Sequence, residues 1–435
     1  MMNEDKLYKR VTLRLIPFLV LLYLIAYIDR SILGFAKLYM NVDVGISDAA
    51  YGFGAGLFFL GYIIFELPSN VILVKVGARR WFARIIVTWG AITMAMALIQ
   101  GPTSFYLLRF LLGAAEAGFY PGVLYYLTLW YPKRRRGRIY GYFFFAQPLA
   151  PLVGGPLAGA ILGMNGMLGM HGWQWVFILC GLPAVLLALP TLKLLPETPS
   201  HAKWLEPREA QWLEAEIEKD AAGIIVEKSH SPLSALKNPR VLLLAFAYVP
   251  IPLSIYGLSL WLPTLVKGFN SSDLMTGFLS AIPFLFGVIG LLIVPRSSDK
   301  YNERYGHIIV CTLLAAAGLV GAALSHSLVL QLTFLCMTGF GMYSASAVLW
   351  TLPSQFLVGT GAAAGLAVIN SIGNLGGYLG PFGIGLIKEY TGSLSYGLYF
   401  LAATLILVIV LVLRLRAMGE LGSEKHATVA PAVSS

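Results

Sequence analysis

The sequence predicts an all-α integral membrane protein with twelve membrane-spanning helices in two six-helix bundles, with both termini in the cytoplasm. Three observations lead to this prediction. Hydrophobic residues make up 57% of the 435 positions and charged residues only 12%, against about 25% charged in an average soluble domain. Apolar runs recur at close to the ~20 residues that a membrane-spanning helix needs. Basic residues cluster in every second break between these runs.

The first apolar run follows a short basic segment, as the core of a signal peptide would. It continues from Leu15 through Phe35 without a small-residue cleavage site, so we expect it to be retained as the first span. The twelve spans are expected near residues 15–36, 51–73, 81–101, 105–130, 139–163, 174–195, 241–266, 273–295, 307–325, 328–352, 361–387 and 394–415.

The sidedness follows from the basic residues, because lysines and arginines near span ends stay in the cytoplasm. With the N-terminus inside, the 31 basic residues lie in inner segments with five exceptions. Lys37, Lys267 and Lys388 lie at outer ends, and Arg30 and Arg109 lie inside spans. This distribution excludes the inverted topology.

The chain divides into two bundles, residues 1–195 and 241–415. Residues 196–240 are predicted to form a cytoplasmic linker with an amphipathic helix, because their charged side chains recur at helical spacing, and residues 416–435 a cytoplasmic tail. Similar basic turns follow the second span, at residues 75–80, and the eighth. They indicate two repeats, as in transporters whose substrate site lies between repeats near the bilayer midplane.

Five charged residues lie within the predicted spans away from their ends, all in the first bundle: Asp29, Arg30, Glu66, Arg109 and Glu116. Such residues are costly in lipid and usually face a partner or an aqueous cavity. Arg109 and Glu116 are two helical turns apart, which predicts that they share one face about 10 Å apart along the axis. Asp29 and Arg30 point about 100° apart, so only one of them is expected to face a central cavity.

The residue types suggest a division of roles. Arg30 presents a planar fork that matches a carboxylate, which makes it the candidate anchor for an organic anion. Asp29 and Glu116 are candidate proton carriers, because burial favours the neutral form of a carboxylate and a nearby arginine opposes that effect. The alternative is that these residues form buried salt bridges between the first and fourth spans. Glu66 is predicted to be structural, as a partner for the basic turn at residues 79–80.

Several stretches together resemble the anion:cation symporter family of the major facilitator superfamily. They are YIDR at 27–30, GYIIFELPSN at 61–70, GARRW at 77–81, LRFLLGAAEAGFYPG at 108–122, WTLP at 350–353 and INSIGNLGG at 369–377. The resemblance covers nearly the whole chain. Val74 stands where the superfamily usually carries an aspartate after the second span, whereas the second copy of that motif keeps Asp299.

The resemblance implies alternating access and proton-coupled uptake of a sugar acid, tartrate or aromatic carboxylate across the inner, cytoplasmic membrane. It assigns Arg30 to the substrate anion, Asp29 and Glu116 to proton coupling, and Arg109 to modulation of Glu116. The remaining substrate-cavity residues that it implies are Tyr27, Tyr62, Gln147, Trp350 and Asn370. The alternative function is anion exchange or efflux, because Gly155-Pro156 resembles a motif more common in exporters.

Other classes of function lack support in the sequence. The net charge of +10 comes from short loop clusters and not from one basic face, so nucleic acid is not an expected partner. The isolated cysteines Cys180, Cys311 and Cys336 have no metal-ligand spacing. No catalytic or nucleotide-binding motif is present, so we expect no enzyme activity, no metal and no cofactor. The expected partners are a small carboxylate, protons and the lipid bilayer.

Overall fold

The computed structural model describes residues 4–222, 237–355 and 360–427. In these residues the regular structure is helical, because a backbone in lipid must satisfy its own hydrogen bonds. Eleven helical segments are long and apolar enough to cross a membrane, and the glycine-rich helix Thr360–Thr391, the eleventh span in chain order, brings the number to twelve. The predicted twelve-helix fold is therefore confirmed.

In the first bundle the helices follow the predicted apolar runs, and three spans are each built from two helices. The helices are Glu4–Ser31 with Leu33–Asp43, Asp48–Val76, Ala78–Ala95, Pro102–Glu116 with Phe119–Thr128, Lys133–Phe144 with Ala146–Leu162, and Gly172–Leu194. The fourth span, predicted near 105–130, extends over Pro102–Thr128 and is broken after Glu116. The helix ends at Glu116, and Gly118 adopts a left-handed φ of 82°, which glycine tolerates because it has no β-carbon.

In the second bundle the seventh span is divided at Val249, just before Pro250, which has no N–H to donate. The helices are Pro239–Tyr248 with Pro250–Lys267, Asp273–Lys300, Tyr305–Leu324, Leu328–Leu349, Thr360–Thr391 and Leu394–Ala427. Helix Pro207–Ala222 lies in the stretch predicted as a linker. Residues 223–236 of that stretch and residues 428–435 of the predicted tail lie outside the described residues.

The linker helix contacts the inner surface of the first bundle. Glu209 forms an ion pair with Arg10, and Trp212 packs edge-on against Tyr8 at 6.0 Å between ring centroids. Leu213 is fully buried. This stretch is therefore attached to the bundle that precedes it in the chain.

The two bundles repeat the same turn at their outer ends. Ser47 caps the second span by accepting a hydrogen bond from the N–H of Ala50, and Ser272 caps the eighth by accepting one from Met275. An aspartate follows each cap, as suits the positive end of a helix dipole. In both copies this aspartate pairs with a lysine at the end of the preceding span: Asp48 with Lys37 at 2.9 Å and Asp273 with Lys267 at 2.7 Å.

The bundles meet where the second span packs along the eleventh and the fifth along the eighth. Glycine permits these close approaches: a β-carbon added at Gly155 would lie 2.8 Å from the carbonyl oxygen of Gly277, and one at Gly56 would lie 2.5 Å from the Tyr378 ring. Small residues bring membrane helices into contact in this way. These glycines therefore serve in packing between the bundles.

Candidate functional site

Arg30 lies at the centre of the molecule and forms an ion pair with Glu116. Its Nε donates a hydrogen bond to Glu116 Oε1 at 2.9 Å, and its Nη2 contacts the same oxygen. The side chain of Arg30 is 12% exposed and that of Glu116 2%. Such a pair is stable in a low-dielectric interior only while both partners are present.

Three aromatic rings of the first bundle surround the Arg30 guanidinium. Its central carbon lies 4.8 Å from the ring centroid of Tyr27, 5.0 Å from that of Phe58 and 5.3 Å from that of Tyr62. Cation–π contacts of this kind stabilise a cation that has been taken out of water. The structure therefore brings together Arg30, Tyr27, Tyr62 and Glu116, which the sequence assigned to one site.

Tyr256 of the seventh span brings the second bundle into the site. Its hydroxyl accepts a hydrogen bond from Arg30 Nη1 at 3.1 Å and lies 3.5 Å from the Tyr27 hydroxyl. Tyr27 in turn receives a hydrogen bond from Tyr23 at 3.3 Å. The sequence analysis did not select Tyr256, because one tyrosine in a span is more often a packing residue than a ligand.

A small cavity lies beside Arg30, with about 20 Å³ of free space, which is room for about one water molecule. Its polar lining comes from Tyr27, Arg30, Ser31 and Gln147 of the first bundle and from Tyr256, Ser259 and Tyr343 of the second. Gln147 is thus at the predicted place. A small organic molecule needs more room than this, so the cavity must enlarge before it can hold one.

Arg109 and Asp29 face other neighbours. Arg109 is fully buried, donates to the backbone oxygen of Ala55 at 3.1 Å and lies 5.0 Å from the Phe58 ring centroid. Asp29 is also buried and accepts a hydrogen bond from Thr93 of the third span at 3.3 Å. Asp29 Oδ1 has no hydrogen-bond partner among the described residues. Arg30 therefore faces the cavity, and Asp29 faces the third span.

Trp350 and Asn370 lie closer to the inner side than Tyr256. The Trp350 ring packs edge-on against Tyr248, with 5.1 Å between ring centroids, and Asn370 Nδ2 donates to Glu66 Oε1 at 3.3 Å. The prediction that Glu66 pairs with the basic turn at residues 79–80 was wrong. The side chain of Glu66 points across the interface between the bundles to the eleventh span. The rotation of a helix about its axis decides which side chains meet, and closeness in sequence does not.

The outer path to the site is closed by charged side chains that join the two bundles. Asp48 lies between Lys37, at 2.9 Å, and Lys388 of the eleventh span, at 2.8 Å. Lys37 Nζ also lies 4.0 Å from the ring centroid of Trp261 in the seventh span. Glu389 accepts a hydrogen bond from Ser47 at 2.7 Å. We call Lys37, Asp48, Lys388 and Glu389 the outer latch.

At the inner end, ion pairs join residues of one bundle or of the first bundle and the linker. Examples are Arg10 with Glu209 and Asp299 with Arg304, the latter at 2.5 Å. The hydrogen bond between Glu66 and Asn370 joins the bundles on the inner side of the Arg30 site. The site is thus closed on its outer side.

Comparisons with known proteins give a consistent result. The sequence profile of the Major Facilitator Superfamily matches residues 19–381. A quinolone resistance transporter of Acinetobacter baumannii is 58% identical over 409 residues, 94% of each chain. A putative tartrate transporter of Agrobacterium vitis is 45% identical over 410 residues, 94% of this chain and 91% of that one. The xylose transporter XylE from E. coli, in a partially occluded inward open conformation, shares the fold with a TM-score of 0.73 at 13% identity, covering 92% of this chain and 97% of that one.

Proposed function

The chain belongs to the Major Facilitator Superfamily and is a multi-pass membrane transporter, not an enzyme, and we propose that it takes up a small organic anion together with protons by alternating access. The proposed substrates are sugar acids, tartrate and aromatic carboxylates. One relative is named for tartrate, which supports this class. The proposed location is the inner membrane, with the two bundles at 1–195 and 241–415 moving about the central site.

The ion pair between Arg30 and Glu116 carries this proposal. Glu116 Oε1 occupies both Nε and Nη2 of Arg30, the donors that a substrate carboxylate would need. An arriving anion would compete for Arg30 and displace Glu116 from its cation. A displaced carboxylate buried in a low-dielectric site is costly as an ion, so binding of the anion favours a proton on Glu116. One anion and one proton then enter the site together.

The neighbouring residues take supporting roles in this scheme. Asp29 is a second proton site, because it is buried and its Oδ1 has no hydrogen-bond partner among the described residues. Arg109 adds positive charge on the same span as Glu116. Tyr27, Tyr62 and Gln147 contact the substrate beside Arg30. Trp350 and Asn370 contact it from the second bundle once the cavity has enlarged.

Proton-driven uptake by purified protein in proteoliposomes tests the proposal. A carboxylate added outside should acidify the lumen, and an inward proton gradient should drive accumulation of the labelled anion. Glu116→Gln should retain exchange of labelled for unlabelled anion but lose uphill accumulation. Glu218→Gln, an exposed substitution of the same kind on the linker helix, is the matched control. Uphill accumulation by Glu116→Gln at the wild-type level would overturn the role of Glu116.

Exchange or efflux is the second candidate, because the 58% identical relative is named a quinolone resistance transporter. An exchanger would show uptake that depends on internal anion and ignores the pH gradient. An exporter would accumulate substrate in inside-out vesicles energised by an internal acid pH. Either result in the wild-type protein would replace symport as the function.

A further inference from the structure

Glu66 is a charged residue inside a span that the proposed transport cycle does not use. It lies on the second span, and its Oε1 accepts the hydrogen bond from Asn370 of the eleventh span at 3.3 Å. Its Oε2 is shielded from solvent and has no hydrogen-bond partner among the described residues. A buried acceptor without a donor is unfavourable, so this oxygen is suited to a donor that arrives from outside the protein.

Glu66 lies on the same face of the second span as part of the Arg30 site. It follows Tyr62 by four residues, so the two side chains lie one above the other, about 6 Å apart along the helix. Tyr62 presents its ring to the Arg30 guanidinium at 5.3 Å. The contact with Asn370 places the carboxylate at the interface between the bundles. Glu66 is therefore one helical turn further towards the inner side than the ring beside the anion anchor.

The chemistry of Glu66 and Asn370 is opposite to that of Arg30. An ionised carboxylate only accepts hydrogen bonds, and the asparagine amide offers one further acceptor oxygen. Arg30 offers only donors. A substrate with a carboxylate at one end and a donor at the other would satisfy both groups, whereas a plain carboxylate leaves Glu66 Oε2 without a partner.

We propose that Glu66 and Asn370 form a second substrate subsite that accepts a hydrogen-bond donor, either a hydroxyl or a protonated nitrogen. The transporter then selects organic anions that carry a donor group at the end opposite to the carboxylate. This inference rests on the proposed function, since Arg30 must hold the carboxylate end. It adds a substrate class, carboxylates with a distal donor, to that function.

Matched ligand pairs test the subsite in the full-length protein in proteoliposomes at one pH. One pair is 4-hydroxyphenylacetate with phenylacetate, and the other is 4-(aminomethyl)benzoate with 4-methylbenzoate. Wild type should bind the donor-bearing member of at least one pair about tenfold or more tightly. Glu66→Leu should reduce that ratio to within about twofold, because an apolar side chain offers the donor no acceptor. Leu67→Ala, which alters an exposed neighbour, should keep the wild-type ratio.

Glu66→Gln separates the two kinds of donor and serves as the second variant, because it keeps an acceptor oxygen but removes the charge. It should retain a preference for the hydroxyl and lose one for the protonated nitrogen. The proposal is overturned by a wild-type protein that prefers neither donor-bearing ligand. It is also overturned if Glu66→Leu weakens binding of both members of a pair equally. The same outcome in Glu66→Gln for 4-(aminomethyl)benzoate and 4-methylbenzoate overturns it as well. A side chain that only held the bundles together would act in that way.

The same ligands distinguish failure of the subsite from failure of the anion site. Arg30→Gln should abolish binding of all four compounds. Binding of all four by Arg30→Gln at wild-type affinity would refute the anion anchor and the proposed function, whatever the ratios in the Glu66 variants. Loss of binding in Arg30→Gln together with unchanged ratios in Glu66→Leu would refute the subsite alone.

Discussion

The central ion pair and the outer latch differ in what their charges connect. Arg30 and Glu116 both belong to the first bundle, on its first and fourth spans. In the latch, Asp48 of the first bundle lies between Lys37 and Lys388, and Lys388 belongs to the second bundle. Exchange of Glu116 for another partner of Arg30 breaks no ion pair between the bundles. The latch, in contrast, must break before the outer side opens.

The latch also shows how a repeat acquires different roles in its two copies. Lys37 with Asp48 and Lys267 with Asp273 are the same pairing at the same turn of each bundle. In the first copy, Lys388 adds a cation from the other bundle. In the second copy, Tyr39 adds a hydroxyl, which donates to Asp273 at 2.7 Å. The outer ends are therefore joined reciprocally, with a stronger charge interaction at Asp48.

The largest effect is expected at the central pair. Arg30→Lys keeps the charge but loses the planar fork, and a lysine cannot hold a carboxylate through two parallel hydrogen bonds. Uptake should fall by about a hundredfold or more, as for truncation within a buried charge pair. Counterflow of labelled anion measures this loss. Arg296→Lys, exposed on the inner side, should behave as wild type, and wild-type uptake by Arg30→Lys would show that the guanidinium shape is irrelevant.

An intermediate effect is expected at the latch. Asp48→Asn leaves Lys37 and Lys388 without their shared anion, so the outward-open state should gain population at the expense of the closed outer end. With a reporter Ser31→Cys in the cavity lining, labelling by an impermeant thiol reagent from outside should accelerate about tenfold or more.

Asp43→Asn is the matched control for the latch. Asp43 is also an outer-end aspartate, but it contacts Trp173 at 2.8 Å and His171 at 3.1 Å, both in its own bundle. Its variant should leave labelling of the reporter unchanged. Equal acceleration in both variants would show that the latch does not act through contact between bundles.

The smallest effect is expected at the inner end of the eighth span. Partial burial would raise the pKa of Glu303, but hydrogen bonds from the backbone N–H groups of Gly306 and His307 and from the His307 ring hold it below its ordinary value. A lowered carboxylate pKa stabilises the fold above the unfolded pKa, about 4.3, and this stabilisation is lost as pH falls through the folded pKa.

Glu303→Gln should therefore lower Tm by about 2 °C or less at pH 7, because the site is partly exposed. The difference from wild type should shrink towards zero at pH 3. Labelling of the Ser31→Cys reporter should not change, because this contact lies within one bundle. An increase in outside labelling would mean that inner-end contacts of one bundle also set the orientation of the transporter.

The sequence was sufficient for the membrane fold, since span length and hydropathy are local properties. It also indicated that Asp29 and Arg30 point in different directions, because successive residues on a helix are about 100° apart. It was not sufficient for the break after Glu116. Gly118 occurs among several glycines of the fourth span, and the close approach of Ser69 from the second span, 2.4 Å from where a β-carbon of Gly118 would lie, is a tertiary contact.

The partners of the buried charges were decided by tertiary structure alone. Arg30 is adjacent to Asp29 in sequence but pairs with Glu116, and Glu66 meets Asn370, 304 positions away, instead of the basic turn at residues 79–80. Tyr256 belongs to the site because the packing of the seventh span brings its hydroxyl to Arg30. Composition and periodicity determined that the chain spans a membrane, its sidedness and which bundle carries the charges. Helix rotation and bundle packing determined which of those charges meet. A periodic pattern determines the helix face on which a residue lies, but it does not determine which residue of another helix packs against that face.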